Sequence, residues 1–274
     1  MLKNKNFQIY CGDCREKLKN IKSKSIDVIV TDPPYNLSPY STGNMKFSWR
    51  SEVNNDVAEW DKNFNPEDIK DEFIRVLKET GTIFAFCSYN LIGKWHEIFD
   101  PLFDTFQFFV WHKTNPVPKF RKAGFLNSCE LIVCMWNKGH KWNFGKQNEM
   151  HNFFESPICM GPERVKDPKH PTQKPISLLK HLINISSDEN DIILDPFMGV
   201  GSTGVAALQT KRKFIGIELD NNYFNAAEKR LIQATNGYSS IYVNNRFDTS
   251  NQVIELFDNV KKYKKTKKIL KKVK

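Results

Sequence analysis

No run of eighteen apolar residues occurs in the 274-residue chain, which excludes a bilayer-spanning helix. The start, Met1-Leu2-Lys3-Asn4-Lys5, lacks the apolar h-region of a signal peptide, so a cytoplasmic protein without a membrane partner is expected. Of six cysteines only Cys11 and Cys14 form a CxxC, and no second CxxC or histidine pair completes a zinc site. No metal is expected, and the pair reads as two ordinary reduced thiols. Internal repeats are absent. Acidic residues are missing from residues 261 to 274, KKYKKTKKILKKVK, which hold nine lysines. Taking those nine from 41 basic residues leaves 32 against 31 acids, so the net charge of +10 belongs almost wholly to this tail. A like-charged terminus is either solvated or grips phosphates nonspecifically, and the body itself is nearly neutral.

What is present points to a large core: 40% of residues are hydrophobic and 13% aromatic. The most informative segment is Asp32-Pro33-Pro34-Tyr35. It follows the apolar run Ile26-Asp27-Val28-Ile29-Val30, a buried strand, and so lies in the loop at that strand's carboxyl end, where open α/β sheets bind ligands. Two prolines stiffen the loop and remove two N–H donors, leaving carbonyls, one carboxylate and one ring. Such a surface accepts hydrogen bonds from a planar amino group while the ring stacks on its plane. Taken alone, the segment is equally a proline-stiffened loop with a packed tyrosine.

A second strand, Ile192-Ile193-Leu194, runs into Asp195-Pro196-Phe197-Met198-Gly199-Val200-Gly201-Ser202-Thr203-Gly204. Glycines there permit unusual φ angles and close approach of a ligand to bare backbone at a helix start. The following strand, Lys213 to Glu218, ends in the acidic Glu218 and Asp220, where nucleotide-binding folds grip a ribose diol. GxGxxG spacing alone suits a dinucleotide. The preceding Asp-Pro-Phe argues for a different adenosine-bearing ligand.

Further strands are predicted at Phe7 to Cys11, Gly81 to Phe86, Gln107 to Trp111 and Glu130 to Met135. Helices are predicted at Glu67 to Lys78, Ser88 to Phe99, Pro175 to Ser186, Thr203 to Leu208 and Asn221 to Ala234, with Pro66 and Pro175 marking two starts. The alternation implies a mostly parallel sheet covered on both faces. Asn115-Pro116-Val117-Pro118 joins two close strands as a long hairpin. Residues 137–169 are polar, aromatic and without periodicity, and residues 44–65 read as a mobile flap.

The two signatures together, Asp32-Pro33-Pro34-Tyr35 and Phe197-Met198-Gly199-Val200-Gly201, resemble those of S-adenosylmethionine-dependent DNA amino-methyltransferases. Their order resembles the permuted beta group of adenine-N6 and cytosine-N4 enzymes of restriction-modification systems. Tyr10-Cys11-Gly12-Asp13-Cys14, Glu59-Trp60-Asp61, Asn115 to Arg121 and His170-Pro171-Thr172-Gln173-Lys174-Pro175 also line up, over all but the tail past about residue 240. The resemblance implies a Rossmann-like α/β methyltransferase fold, circularly permuted, with a seven-stranded sheet and one antiparallel hairpin strand. It implies a catalytic half at 1–136, a target-recognition insert at 137–169, a cofactor half at 170–240 and an extension at 241–274. Asp32, Pro33, Pro34 and Tyr35 are then catalytic. Asp13, Asp195, Phe197, Gly199, Gly201 and Glu218 hold S-adenosyl-L-methionine, with Thr172 and Lys174 near its methionine carboxylate. Lys119 and Arg121 face the phosphates of double-stranded DNA. The family setting is prokaryotic or viral, and admits a cognate restriction endonuclease and a homodimer. Asp32 favours adenine over cytosine. An idle DNA-binding homologue would be expected to have lost some of Asp32, Tyr35, Gly199 and Glu218, and RNA or protein substrates fit less well.

Overall fold

The apolar run before Asp32 forms strand β3 (Ile26–Thr31) in the middle of a nine-stranded sheet. The computed structural model describes residues 1–36, 45–47, 50–53, 64–119 and 124–235. Before β3 come β1 (Leu2–Lys3) and β2 (Phe7–Cys11). After it come β4 (Met45–Phe47) and β5 (Arg50–Val53), a separate antiparallel pair. The chain continues through β6 (Leu77–Cys87), β7 (Thr105–Lys113), β8 (Cys129–Trp136), β9 (Phe153–Ser156), β10 (Ile192–Asp195) and β11 (Lys213–Glu218). The sheet order is β1-β2-β11-β10-β3-β6-β8-β7-β9. Neighbours β2, β11, β10, β3 and β6 are parallel, whereas β8 runs antiparallel to both β6 and β7.

Helices α1 (Cys14–Lys17), α2 (Glu67–Val76) and α3 (Ile92–Phe99) cover one face; α4 (Ile176–Ser186), α5 (Ser202–Gln209) and α6 (Asn221–Thr235) cover the other. Val28 and Val30 pack with α4, α5 and α6, while Ile26 and Ile29 pack with α2 and α3. A strand buried on both faces shows a continuous apolar run rather than alternation, which is how β3 looks in the sequence.

The seven expected strands are all present, and the expected antiparallel hairpin is β7–β8. Two edge strands correct the count. Strand β1 spans only two residues. Strand β9 lies in the polar 137–169 segment and is recruited by the open edge of β7, pairing Val110 with Phe153 through Lys113 with Ser156. That segment is therefore laid along the sheet, and Asn143 ties it to α4 through the carbonyls of Asn184 and Ser187. The helix expected to reach Lys78 stops at Val76, because Leu77 turns extended and pairs with Ile26 while Lys78 reaches Asp27 at 2.6 Å. The helix expected from Ser88 starts at Ile92. Ser88 instead donates its hydroxyl to the Tyr35 carbonyl (3.0 Å), and its backbone carbonyl accepts the Leu91 N–H in a turn. The flap at 44–65 lies outside the described residues apart from β4, β5 and Phe64–Asn65, as does the lysine tail.

Candidate active site

Because β2, β11, β10 and β3 are parallel neighbours, their carboxyl ends share one edge of the sheet. Asp13 follows β2, Glu218 ends β11, Asp195 ends β10 and Asp32 follows β3. All four line one cleft of about 770 Å3, together with Pro33, Pro34, Tyr35, Thr172, Lys174, Phe197 and Gly199. Gly201 is not among the lining residues. It precedes α5 with φ +79° and backs onto α6, where a Cβ would lie 3.0 Å from the Ala227 Cβ. Lys119 is exposed on the β7–β8 loop, outside the cleft, and Arg121 lies outside the described residues.

One side of the cleft is a turn presenting backbone. Gly199 has φ +52°, and its N–H donates to Glu218 Oε2 at 2.8 Å, while the Asp220 N–H donates to Glu218 Oε1 at 2.8 Å. Each carboxylate oxygen retains a further lone pair, and Glu218 lines the cleft. Burial raises the Glu218 pKa, and those N–H groups oppose the rise. Asp195 is spent internally: its Oδ1 accepts the Thr31 hydroxyl (2.9 Å) and the Phe197 N–H (3.1 Å). Burial pushes its pKa up to about 7. From α6, buried Arg230 donates to the Val200 carbonyl and to Ser202 Oγ, fastening the turn from behind. Asp13 caps α1 and pairs with Arg15 at 2.5 Å, which lowers its pKa. Bare backbone at Gly199, the Phe197 ring and the Glu218 carboxylate fit an adenosine-bearing ligand, and the cleft volume is that of a small-molecule site.

The opposite side is a buried charge cluster. Lys174, with 5% of its side chain exposed, sits 2.5 Å from Asp32 Oδ2 and 3.3 Å from Glu130 Oε2. Lys113 meets Glu130 Oε1 at 2.7 Å, and the Tyr35 hydroxyl donates to Glu130 Oε2 at 3.2 Å. Burial raises the Asp32 pKa, with the Glu130 charge adding to the rise and Lys174 opposing it. For Glu130 burial also pushes upward, but two lysines outweigh it and hold its pKa below the usual carboxylate value. Asp32 Oδ1 is closed from solvent and has no hydrogen-bond partner among the described residues. A buried acceptor left unpaired is costly, and a ligand N–H would relieve it. Lys174 thus makes its contacts with Asp32 and Glu130, whereas the resemblance set it beside a cofactor carboxylate. Thr172 lines the cleft and its carbonyl accepts from Lys174 at 3.3 Å.

Sequence reasoning passed over Glu130 and Lys113 as site residues and read His170 as structural. The available signal was two opposite charges facing each other at the open ends of apolar strands β7 and β8. At the mouth, Asn36 holds Phe64 by paired bonds of 2.7 and 2.8 Å, so the chain leaves and re-enters there. His170 packs on Tyr223 (ring centroids 4.7 Å apart) and over Gly199. Burial, reinforced by Lys174, Arg164 and Arg230, pulls its pKa down to about 4. Its neutral form therefore contributes stability that is present above the unfolded value near 6.5 and lost as pH falls through about 4. His170→Gln should lessen the loss of stability between about pH 7 and pH 5 by roughly 1–2 kcal/mol. Melting curves across that range check it: an unaltered slope would set His170 aside, since His140, also pulled to about 4 by burial, would then account for the effect.

The family model for DNA methylases (N6/N4 type) matches residues 26–229, which takes in both signatures. The type II methyltransferase M.HinfI of Haemophilus influenzae is 38% identical over 242 residues, covering 80% of this chain and 67% of that protein. M2.MboI of Moraxella bovis, another type II methyltransferase, is 33% identical over 261 residues, covering 85% of this chain and 90% of its own. Among solved structures, the M1.HpyAVI–SAM complex superposes with a TM-score of 0.61 at 33% identity, covering 82% of this chain and all of that one. Residues 26–229 carry both the Asp-Pro-Pro-Tyr loop and the glycine turn. The chain belongs to the N6/N4 DNA methylase family.

Proposed function

We propose that this chain transfers the methyl group of S-adenosylmethionine to the exocyclic N6 of adenine in double-stranded DNA, on a base turned out of the helix. The observation that carries the reading is one cleft with a glycine turn fit for adenosine on one side and, on the other, Asp32 with a buried oxygen lacking a donor among the described residues. The solved relative that holds SAM supports the choice of cofactor. Bound S-adenosylmethionine supplies an electrophilic methyl on a sulfonium. The acceptor amine is a poor nucleophile because its lone pair is delocalised into the ring, and the protein must make it a better one. Asp32 and the Pro33 carbonyl accept the two amine hydrogens and draw the nitrogen towards tetrahedral geometry, a matter of position and electrostatics. Tyr35 stacks on the base and Pro34 holds the loop's shape. Phe197, Gly199 and Glu218 hold the adenosine, and Asp195 and Gly201 hold the turn.

Turning out the base costs a few kcal/mol, which contacts to the duplex must offset. Lys119 and Arg121 on the β7–β8 loop suit phosphates, and Val117 and Phe125 on the same loop are exposed at 67% and 94%. Residues 137–169 serve target recognition in this reading, which also carries a cytoplasmic location and a companion restriction endonuclease. Sequencing of modified bases in DNA from cells expressing the chain tests it. N6-methyladenine at one recognition sequence is expected. N4-methylcytosine would move the reading to the other amine, and unmodified DNA would end it.

A further inference from the structure

Lys174 is shared between two carboxylates that the reaction treats differently. Asp32 must face a substrate amine; Glu130, on β8, is set behind it. The ammonium lies 2.5 Å from Asp32 and 3.3 Å from Glu130, between the rings of Tyr35 (5.3 Å) and Phe86 (4.9 Å). A slight shift of the side chain exchanges one partner for the other. Resting on the methyltransferase reading above, we propose that Glu130 is a positioning residue: it takes over Lys174 when the substrate amine arrives, so that the Asp32 carboxylate is released to the amine hydrogens.

Three observations carry this. Lys174 is buried, so on leaving Asp32 it needs another anion within reach, and among the described residues Glu130 is in contact. Lys113 also pairs with Glu130, at 2.7 Å, so two ammoniums and two carboxylates form a set of zero net charge, which the shift of Lys174 leaves unchanged while Asp32 exchanges an ammonium for amine N–H donors. Glu130 also accepts the Tyr35 hydroxyl at 3.2 Å, coupling the exchange to the ring meant to stack on the base. The pKa directions agree: Glu130 is held low as the standing anion, and Asp32 is raised.

Glu130→Gln removes the charge and keeps an acceptor for Tyr35, so it isolates the exchange. The test measures binding to duplexes bearing the recognition sequence with either adenine or purine, which lacks the exocyclic amine, at the target. Wild type should prefer adenine, and Glu130→Gln should cut that preference by about tenfold. Its affinities for the purine duplex and for S-adenosylmethionine should be unchanged. Equal weakening on both duplexes, or an unchanged preference, overturns the proposal. Lys113→Gln strengthens the hold of Glu130 on Lys174 and should raise the preference. If Glu130→Gln does not fold, this variant decides, with a rise supporting the proposal and any other result ending it. Absence of adenine preference and of methyl transfer in the wild type would instead defeat the functional reading.

Discussion

Asp32→Ala is expected to slow methyl transfer by about 10³-fold while affinity for S-adenosylmethionine stays within about twofold. The separation of effects follows from the geometry. The carboxylate faces the acceptor side, and its side-chain bond runs to Lys174. The cofactor turn is held by other groups, among them Thr31 on Asp195 and Arg230 on Val200. Lys174 keeps Glu130 as a partner in the variant, so the buried ammonium is not stranded and the fold should survive. Single-turnover transfer from labelled cofactor and titration calorimetry measure the two quantities. Lost cofactor affinity with turnover retained would place Asp32 on the wrong side of the reaction.

Gly199→Val should lower cofactor affinity by about 100-fold or more, equivalent to about 2.7 kcal/mol. A β-branched residue resists φ +52°, a left-handed backbone that costs roughly 1–2 kcal/mol. Its Cβ would also lie 2.7 Å from His170 Nε2, forcing the imidazole aside at the cleft floor. Gly201→Ala provides the contrast. At φ +79° and 3.0 Å from the Ala227 Cβ, away from the cleft, it should lower the melting temperature more than it affects binding at saturating cofactor. Equal affinity of Gly199→Val and wild type would contradict the placement of adenosine against this turn.

The strands and helices that carry the site were legible because their signals are local. An apolar run closed by prolines marks β3, and leucine spacing after Pro175 marks α4. Strand β9 was hidden because Phe153–Ser156 has no pattern of its own and forms only where β7 offers an open edge. The start of α3 was misjudged because Ser88 bonds to Tyr35, 53 residues earlier in the chain. Among the site residues, Gly199 and Glu218 were recognisable from their places at strand ends. Lys174 was expected at the cleft, where it lies, but not in its contacts, and Glu130 was taken as part of a strand. Neither pairing follows from spacing, since Lys174 and Asp32 stand 142 residues apart.

By itself the sequence determined that a rigid, donor-poor loop and a glycine turn each end a buried strand, for proline, glycine and apolar runs act on the backbone where they stand. Tertiary structure alone decided that β3 and β10 are neighbours, bringing the two turns to one cleft. It also decided which charges meet behind Asp32, because an ion pair inside a protein is set by the strands that happen to lie side by side.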